Sequence, residues 1–195
     1  MTPPGLEEAE VRKEGGRTVV IGATGSVGVA VLPTYIRLIR QTLADEVFVV
    51  MTEAATRFMP PYTLEIFSGN PVLTNPFEAP PGLKVPHIEL GRRAALYLVA
   101  PATANILAKG AAGICDDLVS TLLVSTRAPV VFVPSMNGVM WESPVVQRNV
   151  ATLRELGHTV LEPVEGFEVA DGSPTQGAMP SPVELLQSLN AILGR

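Results

Sequence analysis

Apolar positions in this chain fall into two kinds of run, short continuous ones and longer ones spaced by three or four residues. Alternation of the two is the pattern of strands exchanging with helices. Thr18 to Ile21 is β-branched and predicts a strand, and Gly22-Ala23-Thr24-Gly25-Ser26 predicts a turn after it. Val27, Val31, Tyr35, Leu38, Ile39 and Leu43 recur at helical spacing, with Pro33 predicting a kink or a late start. Val47 to Met51 reads as a strand, Thr52 to Phe58 as a helix stopped by Pro60-Pro61, and Leu64 to Phe67 as a short helical piece. Segment 69–86 carries five prolines and reads as loop. Leu96 to Ala100 and Pro129 to Val133 predict buried strands, and Ala104 to Gly110 and Asp117 to Val124 predict helices. Ser143-Pro144 supplies an N-cap and an N1 proline for a helix to Leu156, and Thr159 to Leu161 is the last strand. Segment 163–179 is rich in Gly and Pro and reads as loop, after which Ser181-Pro182-Val183-Glu184 opens a C-terminal helix with a capping box. Short apolar strands between helices imply a parallel sheet covered on both faces. The expected fold is a single-domain, doubly wound α/β sheet of Rossmann or flavodoxin type over 17–195, with 1–16 a mobile tail.

Composition narrows the class. Of 195 residues, 47% are hydrophobic and 17% charged, against roughly 25% charged in an average globular domain. That excludes a disordered chain. No apolar run approaches the ~20 residues of a membrane helix, and no basic segment followed by an apolar one opens the chain as a signal peptide would. Cys115 is the sole cysteine, so no internal disulfide forms, in keeping with a reducing, cytoplasmic setting. A net charge of −5 with scattered bases argues against nucleic acid as a partner.

The chemistry-bearing residues lie just after predicted strands, where open α/β sheets bind ligands. In the turn from Gly22 to Gly28 the glycines admit close backbone approach, and a helix N-terminus with Thr24 and Ser26 offers donors to a phosphate. The turn lacks the Gly-Lys-Ser/Thr of a P-loop, and no acidic residue ends the second strand, so it suits a mononucleotide or is simply a tight βα turn. In Pro101-Ala102-Thr103-Ala104-Asn105, the Thr and Asn either hydrogen-bond a flat ligand's edge or cap a helix. Of Asp116 and Asp117, one is expected to cap the next helix and the other to be open to sugar hydroxyls. Cys115 has no adjacent base to make it a nucleophile. Neither His87 nor His158 has a second ligand at zinc spacing. His87 is catalytic or structural; His158, between a helix end and a strand, reads as structural. Pro134-Ser135-Met136-Asn137-Gly138-Val139-Met140-Trp141 brings a carboxamide, two thioethers and the only tryptophan to a strand's end.

Taken in order, these blocks resemble the homo-oligomeric flavin-containing cysteine decarboxylases. Pro101 to Asn105 is similar to that family's Pro-Ala-Ser-Ala-Asn-Thr block, with Thr103 keeping the hydroxyl and Ile106 losing one. Pro134 to Trp141 matches its Pro-x-Met-Asn-x-x-Met-Trp block. Within the family, Gly113-Ile114-Cys115-Asp116 and the stretch from Met140-Trp141 through Pro144 and Gln147 to Asn149 look like the peptidyl-cysteine decarboxylases of epidermin and mersacidin type. The resemblance implies oxidative decarboxylation of the C-terminal cysteine of a ribosomal precursor peptide to an aminoenethiol, used to build an aminovinyl-cysteine ring. The alternative is phosphopantothenoylcysteine decarboxylation in coenzyme A biosynthesis, a branch that carries a cysteine in its C-terminal clamp, whereas segment 165–179 here has none. Flavin prenyltransferases share the fold but lack the His and the Met-Asn block. The resemblance further implies FMN, or alternatively FAD, with Gly25, Ser26, Val27 and Thr52 at the phosphate. Phe58, Thr103, Ala104, Asn105 and Ser135 would lie at the isoalloxazine, and Asp116 or Asp117 at the ribityl chain. His87 would be the base, Asn137 would hold the substrate carboxylate, and Met136, Met140 and Trp141 would shape its pocket. Segment 163–179 would clamp the substrate. The apolar surplus would be spent on a trimer, or a dodecamer built of four trimers, with the flavin between subunits.

Overall fold

The computed structural model describes residues 16–78, 80, 83–169 and 171–194; the expected tail therefore lies, Gly16 apart, outside the described residues. β1 (Thr18–Ala23), β2 (Glu46–Met51), β3 (Ala94–Ala102), β4 (Val130–Pro134) and β5 (Thr159–Val160) form one parallel sheet in the order β2-β1-β3-β4-β5. Every residue of β1 is buried, which is why its sequence is continuously apolar rather than alternating. Val19 and Ile21 face one core, shared with α1 (Leu32–Thr42), α2 (Glu53–Thr56), α3 (Pro61–Ser68) and α9 (Pro182–Ile192). Val20 faces the other, shared with α4 (Pro86–Arg93), α5 (Ala104–Ala112), α6 (Leu118–Ser125), α7 (Gly138–Glu142) and α8 (Pro144–Glu155). The doubly wound expectation holds.

The differences from the sequence reading are local and have physical causes. Pro33 does delay the first helix: Val27–Val31 is a 3-10 turn, and α1 begins at Leu32 with the proline in its first turn. Pro86 does not end a loop but starts α4, taking the first-turn position where a missing N–H costs nothing. The carboxylate of Glu89 accepts the Lys84 and Val85 N–H groups and secures that start. Segment 163–179 is not loop throughout; β6 (Val164–Phe167) and β7 (Pro174–Ala178) pair as an antiparallel hairpin. Gly22 is set by packing, because a Cβ there would stand 2.6 Å from the Tyr97 hydroxyl. That hydroxyl donates to the Val119 carbonyl at 2.8 Å, and burial holds its pKa well above the usual value.

Candidate active site

Strand order reverses between β1 and β3, and in open α/β sheets a ligand crevice opens at the carboxyl ends of such a pair. Here the two following turns are tied together. The Thr24 hydroxyl donates to the Pro101 carbonyl at 2.7 Å and accepts the Thr103 N–H at 3.0 Å. Ser26 and Ser135 share a hydroxyl hydrogen bond of 2.8 Å, joining the β1 turn to the end of β4. Gly25 is required by the α2 segment beside it, since its Cβ would stand 2.5 Å from that of Ala54. Thr24 and Gly25 face one cavity while Ser26, Val27 and Gly28 face another.

The first cavity, about 480 Å³, is lined by Thr24, Gly25, Thr52, Ala54, Thr103, Ala104, Asn105, Lys109, Asp116, Asp117 and Met140 among others. Thr52 and Thr103 turn their hydroxyls back to cap α2 and α5, accepting from Ala55 N and Ile106 N. The Asn105 side chain is exposed to the cavity and makes no hydrogen bond among the described residues. Asp117 caps α6 in a reciprocal box with Ser120, as one of the two aspartates was expected to do. Asp116 stays exposed to the cavity, and Lys109 Nζ lies 2.6 Å from it and 2.7 Å from Asp117. Burial presses the Lys109 pKa down, but hydrogen bonds to both carboxylates outweigh it and leave it above the ordinary value. The same bond lowers Asp116. The sequence reading missed Lys109, whose only signal is a lone cation seven and eight residues before the acid pair.

The second cavity, about 490 Å³, is lined by Ser26, Val27, Val31, Tyr35, Ser135, Met136, Asn137, Phe167, Glu168, Thr175 and Met179 among others. Asn137 caps α7, its Oδ1 accepting from Val139 N at 2.8 Å and Met140 N at 3.4 Å. That fixes the carboxamide's orientation and turns Nδ2 to the carboxylate of Glu168, to which it donates. The β6–β7 hairpin is laced to this loop by Met136 N–Gly177 O at 3.1 Å and Gly138 N–Thr175 Oγ1 at 3.0 Å. A Cβ on Gly177 would run into the Met136 carbonyl oxygen. Glu168, like Lys109, was absent from the sequence reading, since 31 residues, with α7 and α8 among them, separate it from Asn137.

Three expected site residues lie elsewhere. Phe58 is half exposed beyond α2 and lines neither cavity. Trp141 is buried in the α5–α8 core instead of facing a ligand, because α7 turns it inward. His87 stands in the first turn of α4, its carbonyl accepting from Ser125 at 3.3 Å, and lines neither cavity. Its buried Nδ1 has no hydrogen-bond partner among the described residues. Asn137 and the β1 turn are thus brought together, and His87 is not brought to them within one chain.

Two adjoining cavities at the switch point of a β2-β1-β3-β4-β5 sheet define a flavodoxin-like nucleotide-binding protein. More narrowly, the chain belongs to the flavoprotein family, whose family model matches residues 7–194. The coenzyme A biosynthesis bifunctional protein CoaBC of Mycobacterium tuberculosis is 38% identical over 179 residues, 92% of this chain and 42% of that protein. The chain thus spans less than half the length of the curated relatives it matches. Among solved structures, the FMN-dependent cysteine decarboxylase SpaF is 30% identical with a TM-score of 0.78, covering 92% of this chain and 98% of that one. A cysteine-to-serine mutant of PPC decarboxylase complexed with pantothenoylaminoethenethiol is 26% identical with a TM-score of 0.79, covering 92% and 100%.

The first cavity fits a flavin. Its open Asn105 carboxamide and the Thr52 and Thr103 hydroxyls give a polar edge, while Ala54, Ala104 and Met140 give apolar walls. Among the described residues no helix is long and apolar enough to cross a membrane, and no cluster of His, Cys, Asp and Glu is arranged to hold a metal ion.

Proposed function

We propose that the protein is an FMN-dependent decarboxylase of a cysteine carboxylate, with phosphopantothenoylcysteine the substrate that its kinship to CoaBC favours. The observation that carries the reaction is Asn137, capped in place with its Nδ2 in a largely apolar cavity beside the one that fits the flavin. When bound, FMN supplies the two-electron acceptor that lets the cysteine Cβ–S bond become C=S. The carboxylate then leaves as CO₂, and its bonding pair forms Cα=Cβ while the C=S electrons move to sulfur, giving an enethiol after protonation. Asn137 orients the carboxylate, Met136 walls the thiol's site, and the Ser26–Ser135 pair holds the β1 turn against it. Asn105 and Thr103 hold the isoalloxazine edge, and Gly25 and Thr52 stand at the phosphate.

His87 takes the thiol proton, an imidazole nitrogen being able to act as a general base. Since it lines neither cavity of its own chain, it serves the cavity of a neighbouring copy in a homotrimer. Exposed Phe58, Tyr62 and Ile66 supply apolar surface for such an assembly.

A second reading, the C-terminal cysteine of a precursor peptide, is favoured by one observation: the hairpin segment 164–178 contains no cysteine. Offering phosphopantothenoylcysteine and peptides ending in cysteine in equal amounts, with mass spectrometry for loss of CO₂ with or without two hydrogens, separates the readings. Turnover of neither substrate would refute both. His87→Asn is expected to leave a yellow protein without turnover; a normal rate would refute the base.

A further inference from the structure

The Asn137 cavity contains one fixed charge. Of the residues lining it, only Glu168 is of an acidic or basic type, the others being small, apolar, or uncharged Ser, Thr, Asn and Tyr. No salt bridge to Glu168 exists among the described residues. Its position is built. The Glu168 N–H donates to the Ser173 carbonyl at 2.8 Å, and its own carbonyl accepts from Gly172 N at 2.9 Å, so two backbone hydrogen bonds hold it. Its side chain, half-buried, accepts from Asn137 Nδ2. Asn137 has a second N–H on the same nitrogen, so it can hold this carboxylate and a substrate's together. A substrate seated on Asn137 therefore binds within a few ångströms of an uncompensated negative charge in a largely apolar wall.

We propose that Glu168 is a specificity-determining residue that sets the charge of the group next to the substrate's cysteine: neutral or cationic groups are accepted and a second anion is rejected. The proposal rests on the reading that a cysteine carboxylate is seated at Asn137. The cost of ionising the seated carboxylate is common to every such substrate and cancels between them. Charge on the neighbouring acyl group does not cancel. Two unit charges about 6 Å apart at an effective dielectric near 40, between bulk water and a protein surface, change affinity about tenfold. Salt weakens the effect less than on open surface, because the hairpin closes one side.

The test uses the flavin-loaded protein and three probes of equal length, N-acetylated Lys-Cys, Ala-Cys and Asp-Cys dipeptides. Turnover is read as CO₂ release, and binding is read separately from the fluorescence of Trp141, which stands four residues from Asn137. Wild type is expected to prefer them in the order Lys, Ala, Asp, with about tenfold per unit of charge. Glu168→Gln should compress the series to within about twofold, and Glu168→Asp, which keeps the charge, should preserve it. Identical ratios in wild type and Glu168→Gln would overturn the proposal. Loss of turnover with all three probes, but with the charge order intact in binding, would refute the reading of a peptide's C-terminal cysteine as substrate while upholding the filter.

Discussion

Replacing Asn137 by aspartate exchanges one NH₂ for an oxygen and leaves the rest of the side chain unchanged. The retained Oδ1 still caps α7 at Val139 and Met140, and Asp is as good a cap as Asn. What changes is the far side, where Nδ2 donates to Glu168. A hydrogen bond to a charged group is lost, a difference of about 1.5–3 kcal/mol. Two carboxylates then face each other at ~4 Å, adding repulsion of up to about 4 kcal/mol at a near-surface dielectric. The hairpin relieves part of this by opening, or the pair shares a proton. The expected net loss is about 3 kcal/mol near neutral pH, or roughly 6–12 °C in Tm for a domain of this size. The sign with pH follows from the raised pKa of the pair. The variant matches wild type below the ordinary carboxylate range and loses stability as pH rises through the pair's raised value. Thermal unfolding at about pH 5 and pH 7.5, with proteolysis of segment 164–178, reads both effects. Adding Glu168→Gln to Asn137→Asp should restore most of the loss, a coupling seen in the double-mutant cycle. Equal Tm values for Asn137→Asp and wild type near neutrality would refute the Asn137–Glu168 contact.

Gly177→Ala drives a methyl into the Met136 carbonyl oxygen. It should cost about 1–3 kcal/mol, as overpacking does, and speed hairpin proteolysis, with unchanged cleavage speaking against the lacing described. Lys109→Met strands Asp116 and Asp117 beside each other and should lower Tm and the flavin retained after dialysis; an unchanged Tm would show that the triad contributes no stability. His158 stacks edge-on to Phe132 at 5.9 Å, and burial lowers its pKa below the ordinary 6.5. Its contribution is present above 6.5 and is lost as pH falls through the lowered value. His158→Gln should flatten that part of the stability profile, and an unaltered slope would assign it to other groups.

The strands and the βα turns were legible in the sequence because each is a local pattern. The β1 run, Thr103 as a cap, and the Asp117 and Ser181 capping boxes all depend on neighbours within four residues. Helix α4 escaped because Pro86 reads equally as the end of a proline-rich loop or as an N1 residue, and only packing on α6 decides. The β6–β7 hairpin escaped because glycine and proline blur the alternation of a pairing made largely by backbone. Glu168 and Lys109 escaped for another reason. Each matters through a partner that folding brings near, and a charge in isolation carries no spacing that names its partner. His87 was legible as a candidate, yet its distance from Asn137 within one chain was not, since that is a property of the tertiary fold.

The most direct test of the central claim is an anaerobic titration of the flavin-loaded protein with a cysteine-carboxylate substrate, following flavin absorbance and CO₂ together. With no cysteine in segment 164–178 to help return electrons to the product, the account predicts that the flavin bleaches by one equivalent per CO₂, stops after one turnover, and regains its colour on admitting oxygen. Continuous release of CO₂ without oxygen, with the flavin remaining yellow, would contradict it.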